Sequence, residues 1–156
     1  MTRLFSKVSP AVWGSSRFMG LPTNEAKLLY LYLLTNEHLN SAGAYRLKEG
    51  YALADLGWQQ ADYRKAMAML VGNELIAFDD CTNEVYLLRW FKHNPPQNEK
   101  HSLGCQRILG QLDSESISAL ALADFQNAET KRLTSSGKVS HSLMNRLQTG
   151  TGGVGR

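Results

Sequence analysis

The spacing of apolar residues changes several times along the first half of the chain, and each change predicts a new element. Apolar residues lie on nearly every side of Asn24–Glu37, which predicts a core helix, and Thr23 suits the cap at its start. Ala44–Leu47 alternates in the manner of a strand. Glu49–Leu56 then predicts a short helix, because Gly57 can take the left-handed conformation that ends one.

A third helix is predicted from Gln59 to Gly72, where apolar residues recur every three or four positions and form one inward face. That face consists of Tyr63, Ala66, Met67, Leu70 and Val71. The sequence "LIAFDDCTNEVYLLRW" follows, and its alternation predicts two strands, at Ile76–Phe78 and Val85–Trp90, around a polar turn. The order of helix, strand, helix, tight turn, helix and hairpin is that of a winged helix-turn-helix, with the first strand paired to the hairpin.

The expected fold class is therefore mainly α with a small antiparallel β-sheet (α+β). We expect a winged helix-turn-helix domain over residues 1–99, closed by a connector at Pro95-Pro96. A C-terminal helical extension over residues 100–130 should hold helices near Lys100–Leu112 and Ser114–Gln126. Residues 131–156 form a basic, Gly/Ser-rich tail that is expected to be disordered.

Composition favours a globular protein of ordinary size. The 156 residues are 43% hydrophobic, which is enough for one packed core. Core packing also explains the tryptophans better than base stacking does, namely Trp13, Trp58 and Trp90. The longest strongly apolar run, Leu28–Leu34, is far shorter than the roughly 20 residues that cross a bilayer. We therefore expect no membrane contact. Two cysteines give no disulfide framework, which fits a protein of the reducing cytoplasm.

Charge is distributed unevenly along the chain. The formal net charge is +3, but the five basic residues from Lys131 onward have no acidic counterpart. Without those five, 12 basic residues face 14 acidic ones, a net charge of −2. Nucleic-acid binding by the body of the protein would therefore depend on where single cations are placed.

Polar residues collect at the start of the third predicted helix. Gln59, Gln60, Arg64 and Lys65 face away from its apolar side, and Ala61 is small enough to permit close approach. In a major groove, glutamine pairs with adenine, arginine with guanine, and lysine reaches phosphate. An ordinary solvated helix face is the alternative, since these residues are also good helix formers. The helix-turn-helix order favours DNA contact.

The predicted hairpin carries charges of both signs. Arg46, Lys48 and Arg89 lie toward its base and are candidate phosphate contacts. The tip, Asp79–Glu84, contains three carboxylates that would repel phosphate. Either the tip points away from nucleic acid or it serves a protein partner.

No catalytic or metal site is indicated. His93, His101 and Cys105 match no common zinc spacing. The glycine-rich run at residues 150–155 lacks the strand and helix that a dinucleotide fingerprint requires. Because no motif of nucleophile and base occurs either, we expect a protein that is not an enzyme and holds no cofactor or metal.

The runs "AKLLYLYLLT", "GYALADLGW" and "WFKHNPP" resemble winged-helix proteins of phages and prophages that are grouped with replication initiators and replisome organisers. The resemblance covers about Phe5–Leu112, and Ala52-Leu53 departs mildly from it, since the pattern more often has two alanines there. It implies a winged-helix domain that binds double-stranded DNA. The partners it implies are a replicative helicase, its loader or another phage protein.

Sequence-specific binding of double-stranded DNA, in the initiation or organisation of phage DNA replication, is therefore the expected function. Transcriptional regulation of phage genes is the nearest alternative. A module that uses the winged-helix fold to bind protein instead of DNA is the alternative from a different class.

Overall fold

A computed structural model describes residues 4–148, with side chains for residues 4–137. The strands are β1 (Ala44–Arg46), β2 (Ile76–Asp79) and β3 (Glu84–Leu87). A short 3₁₀ helix at Pro10–Gly14 precedes the α-helices, which are α1 (Ser16–Met19), α2 (Asn24–Thr35), α3 (Glu49–Leu56), α4 (Gln60–Gly72), α5 (Trp90–His93), α6 (Glu99–Leu109) and α7 (Glu115–Gln148). The chain is mainly α with one small antiparallel sheet, which confirms the predicted fold class.

Helix α2 begins as its sequence predicts, with the Thr23 hydroxyl accepting a hydrogen bond from the Ala26 backbone N–H at 3.1 Å. Leu29 and Leu33 are fully buried. The apolar residues of α2 do not all face the core, however, because Leu28 is half exposed. Helix α2 packs chiefly against α4, and together they form the centre of the helical layer.

The three strands are ordered β1-β3-β2, and both pairings are antiparallel. Strand β1 pairs with the hairpin as predicted, with Ala44 opposite Tyr86. All four residues of the central strand β3 are buried. The reason is that α7 packs against β2 and β3, in addition to the helices of the core. The Tyr86 hydroxyl donates a hydrogen bond to the Asp124 carboxylate of α7.

Helices α3 and α4 form the predicted helix-turn-helix. Gly57 ends α3 in the left-handed conformation, at φ 66°, and the Trp58 N–H donates to the Leu53 carbonyl at 3.2 Å. The predicted inward face of α4 is buried at four of its five positions, namely Tyr63, Ala66, Met67 and Leu70, whereas Val71 is exposed. The opposite face of α4 is free of the core.

Two predictions around the tryptophans need correction. Strand β3 ends at Leu87 instead of Trp90, because Arg89 adopts the left-handed conformation, at φ 63°, and turns the chain into α5. Trp90 then packs over Gly43, where an added Cβ would lie 2.3 Å from the Trp90 Cγ. Trp13 is 60% exposed and only rests edge-on against Phe18, so the core assignment of Trp13 is wrong.

The last helix is longer than the sequence pattern indicates, whereas α6 ends at Leu109, before the predicted Leu112. Helix α7 continues to Gln148, past the predicted end at Gln126, so the structure describes as helix most of the segment predicted to be a disordered tail. Hydroxyl side chains here bond to backbone carbonyls four residues earlier and fit within a helix. Thr130 bonds to Gln126 at 2.9 Å and Thr134 bonds to Thr130 at 2.8 Å. Residues 149–156 of that tail lie outside the described residues.

The extension shares its core with the winged-helix elements. Ile117, Ala121 and Phe125 of α7 are buried, and Phe125 meets Phe91 of α5 edge-on with ring centroids 5.3 Å apart. Between residues 4 and 148, no helix combines the length and the apolar character needed to cross a membrane.

Candidate nucleic-acid interface

The N-terminal half of α4 presents the predicted polar residues on one outward face. Gln59, Gln60, Ala61, Arg64 and Lys65 are all exposed. Gln59 occupies the N-cap position but makes no side-chain cap hydrogen bond, so its amide group remains available. The core is packed from the other side of the helix. None of the five side chains is needed for that packing.

A carboxylate that sequence reasoning missed lies across this face. Glu49, in the first turn of α3, accepts a hydrogen bond from Gln60 Nε2 at 2.9 Å. The same carboxylate accepts from Arg64 Nε at 2.9 Å. These bonds, that from Arg64 foremost, lower the pKa of Glu49. One sequence signal could have indicated this contact, namely an acidic residue in the first turn of α3. The tight turn after α3 packs the two helices together, and Glu49 then bonds to side chains of α4.

The hairpin tip is less acidic toward solvent than its sequence indicates. Glu84 is 2% exposed, and its carboxylate accepts the backbone N–H groups of Asp113 at 3.0 Å and Ser114 at 2.8 Å, just before α7. Asp79 accepts from the Cys81 N–H at 2.9 Å within the turn. The pKa of Asp79 is lowered, first by a hydrogen bond from Ser114 and then by that from Cys81. Glu84 and Asp79 thus fasten the hairpin to the segment just before α7, and Asp79 also stabilises the turn.

The third carboxylate of the tip, that of Asp80, is exposed. Its charge is the smallest of the causes that raise the pKa of Arg64, after the hydrogen bond and the charge of Glu49. Glu49 and Asp80 therefore both oppose the positive charge of Arg64.

The three basic residues predicted near the hairpin are placed differently. Lys48 is exposed immediately before Glu49, beside the α4 face. The Arg46 guanidinium is paired with Asp113 and lies 3.7 Å from Glu84, so it joins β1 to the start of α7. Within the part of the chain that the structure describes, Lys48 and Lys65 form no ion pair.

Arg89 lies at the other end of the sheet. Its guanidinium donates a hydrogen bond to the Glu74 carbonyl, just after α4 ends. Ten residues separate Arg64 from Glu74, which along a helix corresponds to about 15 Å. The exposed N-terminal half of α4 therefore holds Gln59, Gln60, Ala61, Arg64 and Lys65. Lys48 is linked to this face only as the chain neighbour of Glu49, and Arg89 lies away from it.

The described residues contain no group of three His, Cys, Asp or Glu side chains that could hold a metal ion. The buried Cys105 thiol lies 3.7 Å from the Ser41 carbonyl, and burial raises its pKa. The exposed groups at the start of α4 are amides and cations that can form hydrogen bonds and ion pairs. No known protein family, no curated protein and no solved structure shows significant similarity to the chain.

Proposed function

We propose that this protein binds double-stranded DNA by placing the N-terminal half of α4 in the major groove. The observation that carries the proposal is the division of α4 into two faces. Tyr63, Met67 and Leu70 are buried, while the outward residues from Gln59 to Lys65 are exposed and unused by the core. In a helix-turn-helix, the second helix reads DNA with residues at its N-terminal end.

The exposed groups match the chemistry of a groove. Gln60 and Arg64 are held side by side by one carboxylate, with donors that suit adenine and guanine edges. Lys48 and Lys65 are exposed and supply positive charge for phosphates. The side chains of Glu49 and Arg64 are 24% and 63% exposed, so their ion pair is of the weak, screened kind that docking can rearrange.

The biological process is proposed on other grounds. The resemblance of residues 5–112 to phage replication initiators and replisome organisers, together with the winged-helix topology, supports a role in phage DNA replication in the cytoplasm. Regulation of phage genes uses the same DNA-binding surface and is the alternative. A helicase or helicase loader would be the partner in replication.

A protein-binding module is the second candidate function, and one observation favours it. The Glu49 carboxylate bonds directly to Gln60 and Arg64 on the exposed face of α4, and the charge of Asp80 also acts on Arg64. Such a mixed surface suits a protein partner with complementary charges at least as well as a polyanion. Under this candidate, DNA binding would be weak and would show no preferred sequence.

The test is a selection from a pool of random duplexes, followed by fluorescence anisotropy with the enriched duplex. We expect binding that is tighter for the enriched duplex than for a scrambled one, and that weakens between about 50 and 200 mM salt. A selection that enriches no sequence, with no salt-sensitive binding by the folded protein, would leave the protein-binding module as the better account.

A further inference from the structure

A cavity of about 400 Å³ lies at the end of the sheet where the hairpin meets α5, away from the exposed face of α4. Its walls come from the segment before α1, from α2, from the end of β3 and from the start of α5. Val12, Tyr30, Leu34 and Leu88 give it a largely apolar lining. A cavity of this size and lining is typical of sites for small organic molecules.

The charged groups of the cavity share one sign. Lys7 and Arg89 line it beside neutral polar groups, and none of its lining residues is an aspartate or a glutamate. The Glu74 carboxylate, near the other side of Arg89, is engaged with Arg17 at 3.5 Å. The cavity therefore offers cationic groups without a carboxylate among its walls, which favours a ligand that carries negative charge.

Arg89 is the best placed of these groups. It holds the left-handed conformation, at φ 63°, which is unfavourable for a residue with a side chain. The Arg89 guanidinium donates a hydrogen bond to a neutral group, the Glu74 carbonyl. A guanidinium has five N–H donors, so it can bond to an anion as well. The charge of Arg89 also acts on the Tyr30 hydroxyl, where it opposes the raising of the tyrosine pKa by burial. Arg89 and Tyr30 both line the cavity.

We propose that this cavity binds a small molecule with an apolar body and one anionic group. The apolar body lies against Val12, Leu34 and Leu88, and the anion is held by Arg89 and the Tyr30 hydroxyl, with Lys7 at the rim. Charge-assisted hydrogen bonds from a guanidinium are the strong kind, and they gain strength beside an apolar wall. The proposal is independent of DNA binding, since it involves none of the exposed residues of α4.

The test uses decanoate and decanol as a matched pair of probes, below their aggregation limits, with NMR of the ¹⁵N-labelled full chain. We expect decanoate to shift the amide signals of Leu88, Arg89 and His93 in a saturable way. Decanol should bind at least about tenfold more weakly, because it lacks the charge that Arg89 pairs with. Equal binding of the two probes would overturn the anionic part of the proposal, and no saturable shift with either would overturn it entirely.

Two variants locate the charge. Arg89→Gln should weaken decanoate binding about tenfold or more, and Lys7→Gln should weaken it severalfold. Lys92→Gln is the matched control, because Lys92 is an exposed cation of α5 that does not line the cavity. If Arg89→Gln disturbs the fold, as seen by circular dichroism, Lys7→Gln decides the matter, since Lys7 is exposed and precedes the first helix. Unchanged binding by Lys7→Gln and by folded Arg89→Gln, or equal weakening by Lys92→Gln, would contradict the proposal.

Discussion

Replacing Glu49 by glutamine removes the carboxylate that lies across the exposed face of α4, and we expect it to tighten DNA binding. Glu49 accepts hydrogen bonds from Gln60 and Arg64, the two side chains proposed to reach base edges. Glutamine keeps the length of the side chain and one accepting oxygen. It loses the negative charge, which both retains Arg64 and opposes an approaching phosphate.

The size of the effect follows from the geometry. Glu49 Oε1 lies 2.9 Å from Arg64 Nε, and for an order-of-magnitude figure we place the carboxylate about 7 Å from a backbone phosphate in the docked complex. In water, two unit charges at that separation repel by roughly 0.6 kcal/mol. Contact with one or two phosphates, and release of an exposed ion pair, then amount to about a two- to tenfold gain in affinity. The gain should shrink at high salt, because exposed charges are screened.

Fluorescence anisotropy with one duplex at about 50 and 200 mM salt measures this gain. Glu37→Gln is the matched control, since it removes the same charge from an exposed position after α2. Weaker binding by Glu49→Gln would refute the reasoning. It would mean that the carboxylate is needed to orient Gln60 and Arg64, and that this outweighs its repulsion of phosphate.

Three further predictions concern stability. Glu84→Ala should cost about 2–4 kcal/mol, because one buried and one partly buried backbone N–H group lose their acceptor. The melting temperature should fall by roughly 5–15 °C, while exposed Asp80→Ala stays near the parent. Leu33→Ala should cost roughly 2–5 kcal/mol and Leu31→Ala less, since only Leu33 is fully buried, as chemical denaturation would show. Burial, followed by the Glu49 charge, raises the pKa of Tyr63 to about 12. The neutral Tyr63 side chain therefore stabilises the fold fully below pH 10, and this stabilisation is lost as pH rises through 12. Phenolate absorbance should then rise together with unfolding, and phenolate formation in a fully folded protein would contradict this.

Local patterns predict most of the winged-helix elements. Helix α3 runs from Glu49 to Leu56 as predicted, because Gly57 supplies the left-handed turn that ends it. The outward face of α4 also follows from spacing alone, since residues at three- and four-residue intervals must share the buried side. These features depend on neighbours within about a turn of helix or one hairpin. Periodicity records such neighbours directly.

Features that depend on distant residues could not be predicted in this way. The sequence around Glu84 is typical of a solvent-exposed turn. In the structure, the segment just before α7, about thirty residues later, donates two N–H hydrogen bonds to the Glu84 carboxylate. The same segment contains Asp113, whose carboxylate pairs with the Arg46 guanidinium. The pattern of alternation continues through Trp90, yet β3 ends at Leu87, because Arg89 is left-handed and Trp90 packs against the distant Gly43.

The candidate site shows the same division between local and distant information. Sequence spacing predicts that Gln60 and Arg64 lie side by side, but it does not show that Glu49 of the preceding helix bonds to both. Arg89 reads as a strand residue beside the wing, whereas its left-handed backbone sends the side chain toward Glu74. Its DNA contact therefore remains a prediction without support from geometry. The cavity at Arg89 was not predicted, because four separate segments form it.

The central claim is that α4 enters the major groove, and the most direct measurement compares Arg64→Ala with Lys65→Ala over a series of salt concentrations. If Arg64 reads a base edge, its loss should weaken binding of the enriched duplex roughly ten- to a hundredfold and reduce the preference over a scrambled duplex. If Lys65 meets phosphate, its loss should weaken both duplexes alike and lower the salt slope by about one charge. Lys100→Ala, an exposed cation on α6, should bind as the parent does. Equal binding by all three variants, each folded as the parent, would contradict the account.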